Sequence, residues 1–260
     1  MLPDGGAAPA RPPTALGQPL TAPARPPTAL ARPLTAPARP PTALGQPLTA
    51  PARSLTTLSL AAAVQELAAR DPDLAGIVAR HGPPPLWDRE PGFGTLLHIV
   101  LEQQVSLASA RAAFDRLRAV IDPITPPRFL ALTDGDLLAI GFSRQKARYG
   151  RALATAIDSG ALDLDGLGAH HDAAVHAALQ AIPGIGPWTS TIYLLMVLGR
   201  PDVWPIGDIA LAASVGHIKG LGHRPDAAEM ADLGEAWRPW RSVAARLFWL
   251  DYLARRGRAG

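Results

Sequence analysis

A proline-rich unit is repeated three times near the start of this 260-residue chain, and such a segment is unlike the sequence of a folded domain. The 14-residue unit RPPTALGQPLTAPA begins at Arg11, returns with two changes at Arg25 and returns unchanged at Arg39. Residues 1–53 hold 14 of the 28 prolines. Because proline fixes φ and removes a backbone donor, this composition favours an extended chain without a packed core. We expect a disordered Pro/Ala-rich tail over 1–53, with a proline-rich partner-binding segment as the alternative, and a folded domain over 54–260.

The charge of the two parts differs. The chain has 25 basic and 22 acidic residues, but five Arg and one Asp of these lie in residues 1–53. Residues 54–260 therefore carry a net charge of −1, so a basic pI is no argument that the domain binds nucleic acid. The local exception is residues 238–258, where six Arg accompany only Asp251. This cluster is either a local DNA-binding surface or a solvated helix end that complements the helix dipole.

The absence of cysteine excludes disulfides, thiolate zinc sites and cysteine-ligated iron–sulfur clusters. No apolar run reaches the roughly 18 residues of a membrane span. The N-terminus also lacks a basic segment followed by an apolar one, as a secretion signal requires. We expect a cytoplasmic protein with no membrane contact.

From residue 54 onward the pattern is helical. Asp71-Pro72 predicts a helix start and Gly82 its end. The long apolar stretch 93–120 is predicted to break near residues 103–106, where Ser106 can cap a second helix. Thr133 and Ser143 are further predicted N-caps, and Ser143 opens a helix over 144–157. Helices are also predicted over 171–181, 188–198, 209–215, 227–237 and 241–254. No run of alternating β-branched residues indicates a strand, so an all-α domain is predicted.

The most informative segment is Ile182-Pro183-Gly184-Ile185-Gly186, which lies between two predicted helices. Glycine allows φ > 0 and close approach of a phosphate to the backbone. The N–H groups at the start of the next helix then point at that phosphate, which grips DNA without reading its sequence. Two glycines alone would equally suit a tight helix–helix turn.

Three motifs in order resemble the helix-hairpin-helix DNA glycosylases, and within them the AlkA-type alkylpurine glycosylases (3-methyladenine DNA glycosylase II). They are LLHIVLEQQVSLASA from Leu96, PGIGPWT with WPIGDIAL from Pro183, and WRPWRSVAARLFW from Trp237. The resemblance implies two helical subdomains with the active-site cleft between them. It also implies a monomeric base-excision repair hydrolase of N-glycosidic bonds, without a cofactor. Its substrate would be double-stranded DNA containing alkylated purines, with the damaged base flipped out.

The resemblance assigns roles to single residues. Asp208, twenty positions after Trp188, matches the catalytic aspartate, although its place before an apolar helix also fits a plain N-cap. A carboxylate there is held ionised by the helix dipole and can stabilise a cationic sugar. Trp188 and Trp249 match the walls of the base pocket, although core packing is the commoner fate of tryptophan. The family has a further pocket aromatic at the position of Ile192. Because Ile192 is not aromatic, the neighbouring Tyr193 is the residue expected to line the pocket instead. Trp87, Trp204, Trp237 and Trp240 are expected in the core.

The resemblance implies DNA contacts in two places, at the hairpin and at the predicted helix break near residue 104. Gln104 matches the family's wedge residue, which enters the DNA duplex at the position that the flipped nucleotide leaves, and Gln103 is its neighbour. An exposed residue at a helix kink would explain Gln104 equally well. The carbonyls of residues 183–186 are implied to hold a monovalent cation, and no side-chain metal site is expected. The predicted DNA-binding residues are Pro183, Gly184, Ile185, Gly186, Thr189, Gln103 and Gln104.

The chain also departs from the family. Relatives with lyase activity carry a lysine nucleophile where this chain has Trp188, so a monofunctional glycosylase without AP-lyase activity is expected. The mixed α/β N-terminal domain of the best-known alkylpurine enzyme is missing. Two alternatives are a non-catalytic helix-hairpin-helix DNA-binding protein and a glycosylase for oxidised or deaminated bases. The former has no use for Asp208, and the latter usually needs the missing lysine or cysteines.

Overall fold

Helices account for the regular structure of residues 54–257, which are the residues that the computed structural model describes. No strand occurs within that range, so the all-α prediction is confirmed. A short 3-10 helix covers Gly166–Ala169. The α-helices are α1 (Thr57–Arg70), α2 (Pro72–His81), α3 (Phe93–Glu102), α4 (Leu107–Val120), α5 (Pro126–Leu130), α6 (Asp134–Ile140), α7 (Arg144–Asp158), α8 (Asp172–Gln180), α9 (Pro187–Met196), α10 (Ile209–Ile218), α11 (Ala227–Glu235) and α12 (Arg241–Arg255).

The predicted capping residues begin and end these helices. Asp71 accepts hydrogen bonds from the backbone N–H groups of Asp73 and Leu74, and Pro72 is the first residue of α2. Gly82 ends α2 with φ +74°. Ser106 caps α4 after the predicted break. The predicted N-caps Asp71 and Ser106 are therefore confirmed. Each such cap satisfies backbone groups that the helix itself leaves unpaired.

Thr133 and Ser143 cap α6 and α7 in the same way, again as predicted. Helix α5 and the 3-10 helix were not predicted, because elements of five and four residues are too short to show a helical period. Helix α5 is held by Phe129, whose ring is fully buried and packs edge-on against Phe93 with centroids 5.6 Å apart.

Two groups of helices pack around α9. In the first, α3 packs on α4 and α7, and α7 also contacts α5 and α6; in the second, α12 packs on α1, α2 and α10. Helix α9 contacts α3 of the first group and α8. It also meets α12 of the second group, where the Arg246 guanidinium donates to the Leu195 carbonyl at 2.9 Å. The N-terminal ends of α9 and α10 meet where these groups join.

Three aromatic rings form the centre of the second group. Trp204, Trp237 and Phe248 pack with centroids 5.1, 5.0 and 6.5 Å apart, and all three are buried. The core positions expected for Trp204 and Trp237 are therefore confirmed. Trp240 and Trp87 are only half-buried.

The described residues all belong to one compact unit. Within them, no helix has the length and apolar character needed to cross a membrane. The predicted tail and its three repeats lie outside the described residues, as do the last three residues of the chain.

Candidate active site

Asp208 begins α10 as its N-cap residue. Its backbone is extended (φ −73°, ψ 114°), and its Oδ1 accepts a hydrogen bond from the Leu211 N–H at 2.8 Å. Gly207 precedes it with φ +89°, a conformation that favours glycine. The plain capping function considered for Asp208 is thus present. It leaves the second carboxylate oxygen, Oδ2, for another partner.

Two tryptophans donate to the same carboxylate. Trp188 Nε1 donates to Asp208 Oδ2 at 3.0 Å, and Trp249 Nε1 donates to Oδ1 at 3.2 Å. The three side chains come from α9, α10 and α12, and the structure therefore brings together the three residues that the motifs selected. Three N–H donors fix the orientation of the Asp208 carboxylate.

The indole N–H groups are a feature that the sequence interpretation missed. It treated Trp188 and Trp249 as stacking surfaces, whereas the observed contacts are through the ring edge. An indole that donates in its own plane keeps both π faces available. Trp188 is half-buried and Trp249 is 8% exposed, so the faces of Trp188 are the more accessible. The family resemblance assigned Trp188 and Asp208 to one site, but nothing in the sequence gave the donor geometry.

Tyr193 makes no hydrogen bond to this cluster. Its side chain is fully buried, burial raises the pKa of its phenol well above the usual range, and the described residues offer its hydroxyl no hydrogen-bond partner. Among residues 54–257, Tyr193 has no hydrogen bond to Asp208, and its pocket role stays a prediction. Ile192, at the position of the family's pocket aromatic, is buried as well.

The hairpin uses its two glycines differently. Gly184 has φ +92°, and a Cβ there would lie 2.1 Å from Cγ of Tyr149. Gly186 caps α9 with φ −97°, so only Gly184 of the two uses the positive φ that glycine allows. A Cβ on Gly186 would meet no atom within 4 Å. The fold therefore requires glycine at 184, while the space beside Gly186 is open to a ligand.

The other predicted hairpin contacts divide into exposed and buried groups. Pro183 is exposed, but the side chains of Ile185 and Thr189 are 5% and 1% exposed. Ile185 also donates its N–H to the Ile182 carbonyl at 3.1 Å, which closes the turn. Ile185 and Thr189 therefore present almost no surface to a ligand in this structure.

Gln103 and Gln104 have separate positions in the α3–α4 turn. Gln103 Nε2 donates to the Gly184 carbonyl and to Thr189 Oγ1, both at 2.8 Å, and so ties the turn to the hairpin. Gln104 is exposed at φ +57°, a backbone conformation that is uncommon for a residue other than glycine. The sequence pointed to both residues, but not to the anchoring contact of Gln103.

The anchoring contact bears on the cation implied at the hairpin carbonyls. Gln103 donates to the Gly184 carbonyl and so occupies one of its two lone pairs, and a cation at that oxygen would share it with Gln103. Among residues 54–257, no group of three or more His, Cys, Asp or Glu side chains has a metal-binding arrangement.

Both lysines of the chain have protein partners. Lys219 Nζ contacts Asp71 at 2.8 Å and Asp73 at 2.9 Å. Burial acts to lower the pKa of Lys219, but hydrogen bonds from its ammonium to these carboxylates outweigh it and raise the pKa. Lys146 Nζ donates to the Leu101 carbonyl, and burial lowers its pKa. Neither ammonium contacts Asp208 in the structure.

The C-terminal arginines also have protein partners. Arg238 and Arg241 contact Asp202 at 2.7 and 2.9 Å, and Arg255 contacts Asp251 at 2.8 Å. Arg246 is fully buried. Arg238, Arg241 and Arg246 hold α12 and the residues before it to neighbouring parts of the fold, so neither interpretation describes them. Arg255 lies exposed in the last turn of α12, as the interpretation of a solvated helix end expected.

The sequence and the fold match known proteins. A family model described as HhH-GPD superfamily base excision DNA repair protein matches residues 97–239. A putative DNA-3-methyladenine glycosylase of Bacillus subtilis is 28% identical over 184 residues, which are 68% of this chain and 64% of the relative. A probable bifunctional transcriptional activator/DNA repair enzyme AlkA of Mycobacterium tuberculosis is 30% identical over 199 residues, 72% of this chain and 39% of the relative. The chain thus spans less than two thirds of the length of either relative.

Solved structures agree with this fold. Schizosaccharomyces pombe 3-methyladenine DNA glycosylase Mag1, in complex with abasic DNA, has a TM-score of 0.65 at 23% identity and covers 73% of this chain and 95% of its own. A DNA-3-methyladenine glycosidase from Bacillus halodurans has a TM-score of 0.62 at 27% identity and covers 75% and 91%. Because the family model covers more than half of the 260 residues and includes both the hairpin and Asp208, the chain belongs to the HhH-GPD superfamily of base excision DNA repair proteins.

Proposed function

We propose that this protein is a monofunctional DNA glycosylase that hydrolyses the N-glycosidic bond of alkylated purines flipped out of duplex DNA. The observation that carries the proposal is the Asp208 carboxylate, held between the indole N–H groups of Trp188 and Trp249 at the N-terminus of α10. A hairpin with open space beside Gly186 lies directly before Trp188. The relatives named as 3-methyladenine glycosylases support the same substrate class.

The chemistry needs few groups. Cleavage of an N-glycosidic bond passes through a sugar with oxocarbenium character, which a fixed negative charge stabilises. A purine methylated at N3 or N7 already carries positive charge and leaves without a strong general acid. The Asp208 carboxylate would therefore stabilise the sugar cation and orient or deprotonate the attacking water. Its hydrogen bonds keep it in place before the substrate arrives.

Trp188 is the better candidate for a stacking surface. It is half-buried, and its N–H bond to Asp208 lies in the ring plane, so a π face is free for a flipped base. An electron-rich indole face attracts a cationic purine by about 1–2 kcal/mol, which favours damaged over normal bases. Trp249 is almost fully buried in this conformation and acts mainly by positioning Asp208.

The α3–α4 turn suits a wedge residue. Gln104 is exposed with its backbone in the left-handed region, and the preceding Gln103 ties the turn to the hairpin. Backbone strain of this kind persists where the surrounding structure holds it, and it clusters at functional sites. Gln104 would enter the duplex when the damaged nucleotide leaves it, and its amide can hydrogen-bond the orphaned base.

The proposal is tested by measuring free base released from duplex DNA treated with a methylating agent. We expect 3-methyladenine and 7-methylguanine to be released, and no release from the untreated duplex. A duplex with 8-oxoguanine and one with hypoxanthine serve as comparisons for the oxidised and deaminated classes. Release from either of these, without release from methylated DNA, would contradict the assigned substrate class.

The same reaction should leave an intact abasic strand. No lysine occupies the position of Trp188, and the ammonium groups of Lys146 and Lys219 are engaged elsewhere in the fold. We therefore expect borohydride to trap no covalent enzyme–DNA adduct, as seen by gel electrophoresis of a labelled duplex. A bifunctional glycosylase with the lysine nucleophile is the positive control. Efficient trapping of this protein would show a second nucleophile and refute the monofunctional mechanism.

A further inference from the structure

Helix α7 carries a row of cationic side chains. Arg144, Lys146, Arg148 and Arg151 lie in its first eight residues, and residues 144–157 contain no acid. Lys146 donates to the Leu101 carbonyl, and Arg151 pairs with Asp134 at 2.9 Å. Arg144 and Arg148 are exposed. They are four residues apart, so they lie on the same face of the helix.

This row begins beside the hairpin. The Tyr149 ring fills the space where a Cβ on Gly184 would lie, so α7 packs directly under the hairpin turn. The Arg148 guanidinium carbon lies 5.5 Å from the centroid of the same ring. Gln145 donates to the Tyr149 hydroxyl at 2.7 Å and fixes the ring from the other side. The exposed arginines therefore continue the surface that the hairpin starts.

A groove between α6 and α7 runs along these arginines. Leu138 and Phe142 line its other wall. The acid in the groove is Asp134, and its carboxylate is already engaged by Arg151. The N-terminus of α7 adds the partial positive charge of a helix dipole. The three arginines of the groove therefore suit it to an anionic backbone rather than to a cationic partner.

We propose that Arg144 and Arg148 form a second contact with the DNA phosphate backbone, continuous with the hairpin. The inference rests on the proposed action on duplex DNA. It also follows from the charge of the domain: residues 54–260 carry a net −1, and the arginines of α12 are paired or buried. Attraction of a polyanion then depends on a local cationic surface, which α7 supplies.

The test is the salt dependence of binding to an undamaged duplex, measured for the wild type and for an Arg144→Ala, Arg148→Ala double variant. Each neutralised phosphate contributes about 0.9 to the slope of log K against log salt, so the double variant should have a slope shallower by nearly 2. An Arg144→Lys, Arg148→Lys variant keeps both charges and should keep the wild-type slope. The single-turnover excision rate at saturating DNA should not change, because neither arginine contacts Asp208.

The matched control is an Arg118→Ala, Arg256→Ala variant, which removes the same charge from exposed positions at the far ends of α4 and α12. Its slope should stay at the wild-type value. A slope for the Arg144, Arg148 double alanine variant equal to that of the wild type or of this control would overturn the proposal. Binding is measured without catalysis, so failure to release methylated bases would refute the glycosylase proposal and leave this one standing.

Discussion

An Asp208→Asn variant is expected to bind duplex DNA nearly as well as the wild type but to release methylated purines at least about 10²-fold more slowly. The substitution keeps the size of the side chain and an oxygen for the α10 cap, while the negative charge is lost. The loss should appear in the single-turnover rate at saturating DNA, since the charge acts on the transition state rather than on ground-state binding. Affinity for an abasic duplex is the control for binding.

Asn at position 208 also disturbs the hydrogen bonds of the site, so a second variant is needed to separate that effect from the loss of charge. Oδ1 accepts from the Leu211 and Trp249 N–H groups, so the single oxygen of Asn should take that position. Its NH₂ would then face Trp188 Nε1, donor against donor, at the 3.0 Å that separates that nitrogen from Oδ2. In an Asp208→Asn, Trp188→Phe double variant this repulsion is absent, while a ring remains at 188.

We expect the double variant to stay at least about 10²-fold below the Trp188→Phe single variant, because the charge is still missing. Recovery to the level of Trp188→Phe would mean that the donor clash caused the loss. An Asp208→Asn variant within tenfold of the wild type would contradict the catalytic assignment outright.

The sequence was sufficient to locate the main helices, because caps are local properties of the chain, and its resemblance to a known family singled out Trp188, Asp208 and Trp249. It was not sufficient for contacts between elements that are distant in sequence. The amide of Gln103 meets the Gly184 carbonyl 81 residues away, and Trp249 meets Asp208 across 41 residues. Side-chain direction at such distances depends on how the helices pack, and no local pattern contains that information.

Charge was the least informative property of the sequence. The arginine-rich C-terminus suggested either a DNA surface or a solvated helix end. Several of its arginines instead bind groups within the protein that are distant in sequence, such as Asp202 and the Leu195 carbonyl. Arg246 is the extreme case, because a residue type that is almost always exposed is fully buried here. A formal charge count treats Arg246, which is structural, and Arg148, which is exposed, as equal.

Arg246 joins three parts of the fold through backbone carbonyls. Its guanidinium donates to Leu86 at 2.7 Å, to Ser242 at 3.0 Å and to Leu195 at 2.9 Å. Leu195 is in the last turn of α9, whose carbonyls lack partners within the helix. Burial lowers the pKa of Arg246 to about 10, so it remains protonated at neutral pH and supplies all its donors.

We expect Arg246→Ala to lower the free energy of unfolding by about 3–5 kcal/mol, and Tm by roughly 10 °C. Removing the guanidinium relieves the cost of a buried charge, but it leaves the Leu86 and Leu195 carbonyls without their side-chain donor and opens a cavity. In a truncation the second effect exceeds the first, because nothing replaces the lost donors. Chemical denaturation monitored by circular dichroism gives the value.

Two further variants separate the causes. Arg246→Met fills most of the side-chain volume without donating, so it should recover the part of the loss that comes from the cavity and no more. Arg256→Ala removes an exposed arginine whose guanidinium contacts the hydroxyl and the ring of Tyr252, and it should stay within about 0.5 kcal/mol of the wild type. If Arg246→Ala were as stable as Arg256→Ala, the three carbonyl contacts would contribute nothing to the fold. If Arg246→Met were as stable as the wild type, side-chain volume rather than hydrogen bonding would be what holds α9, α12 and residues 83–92 together.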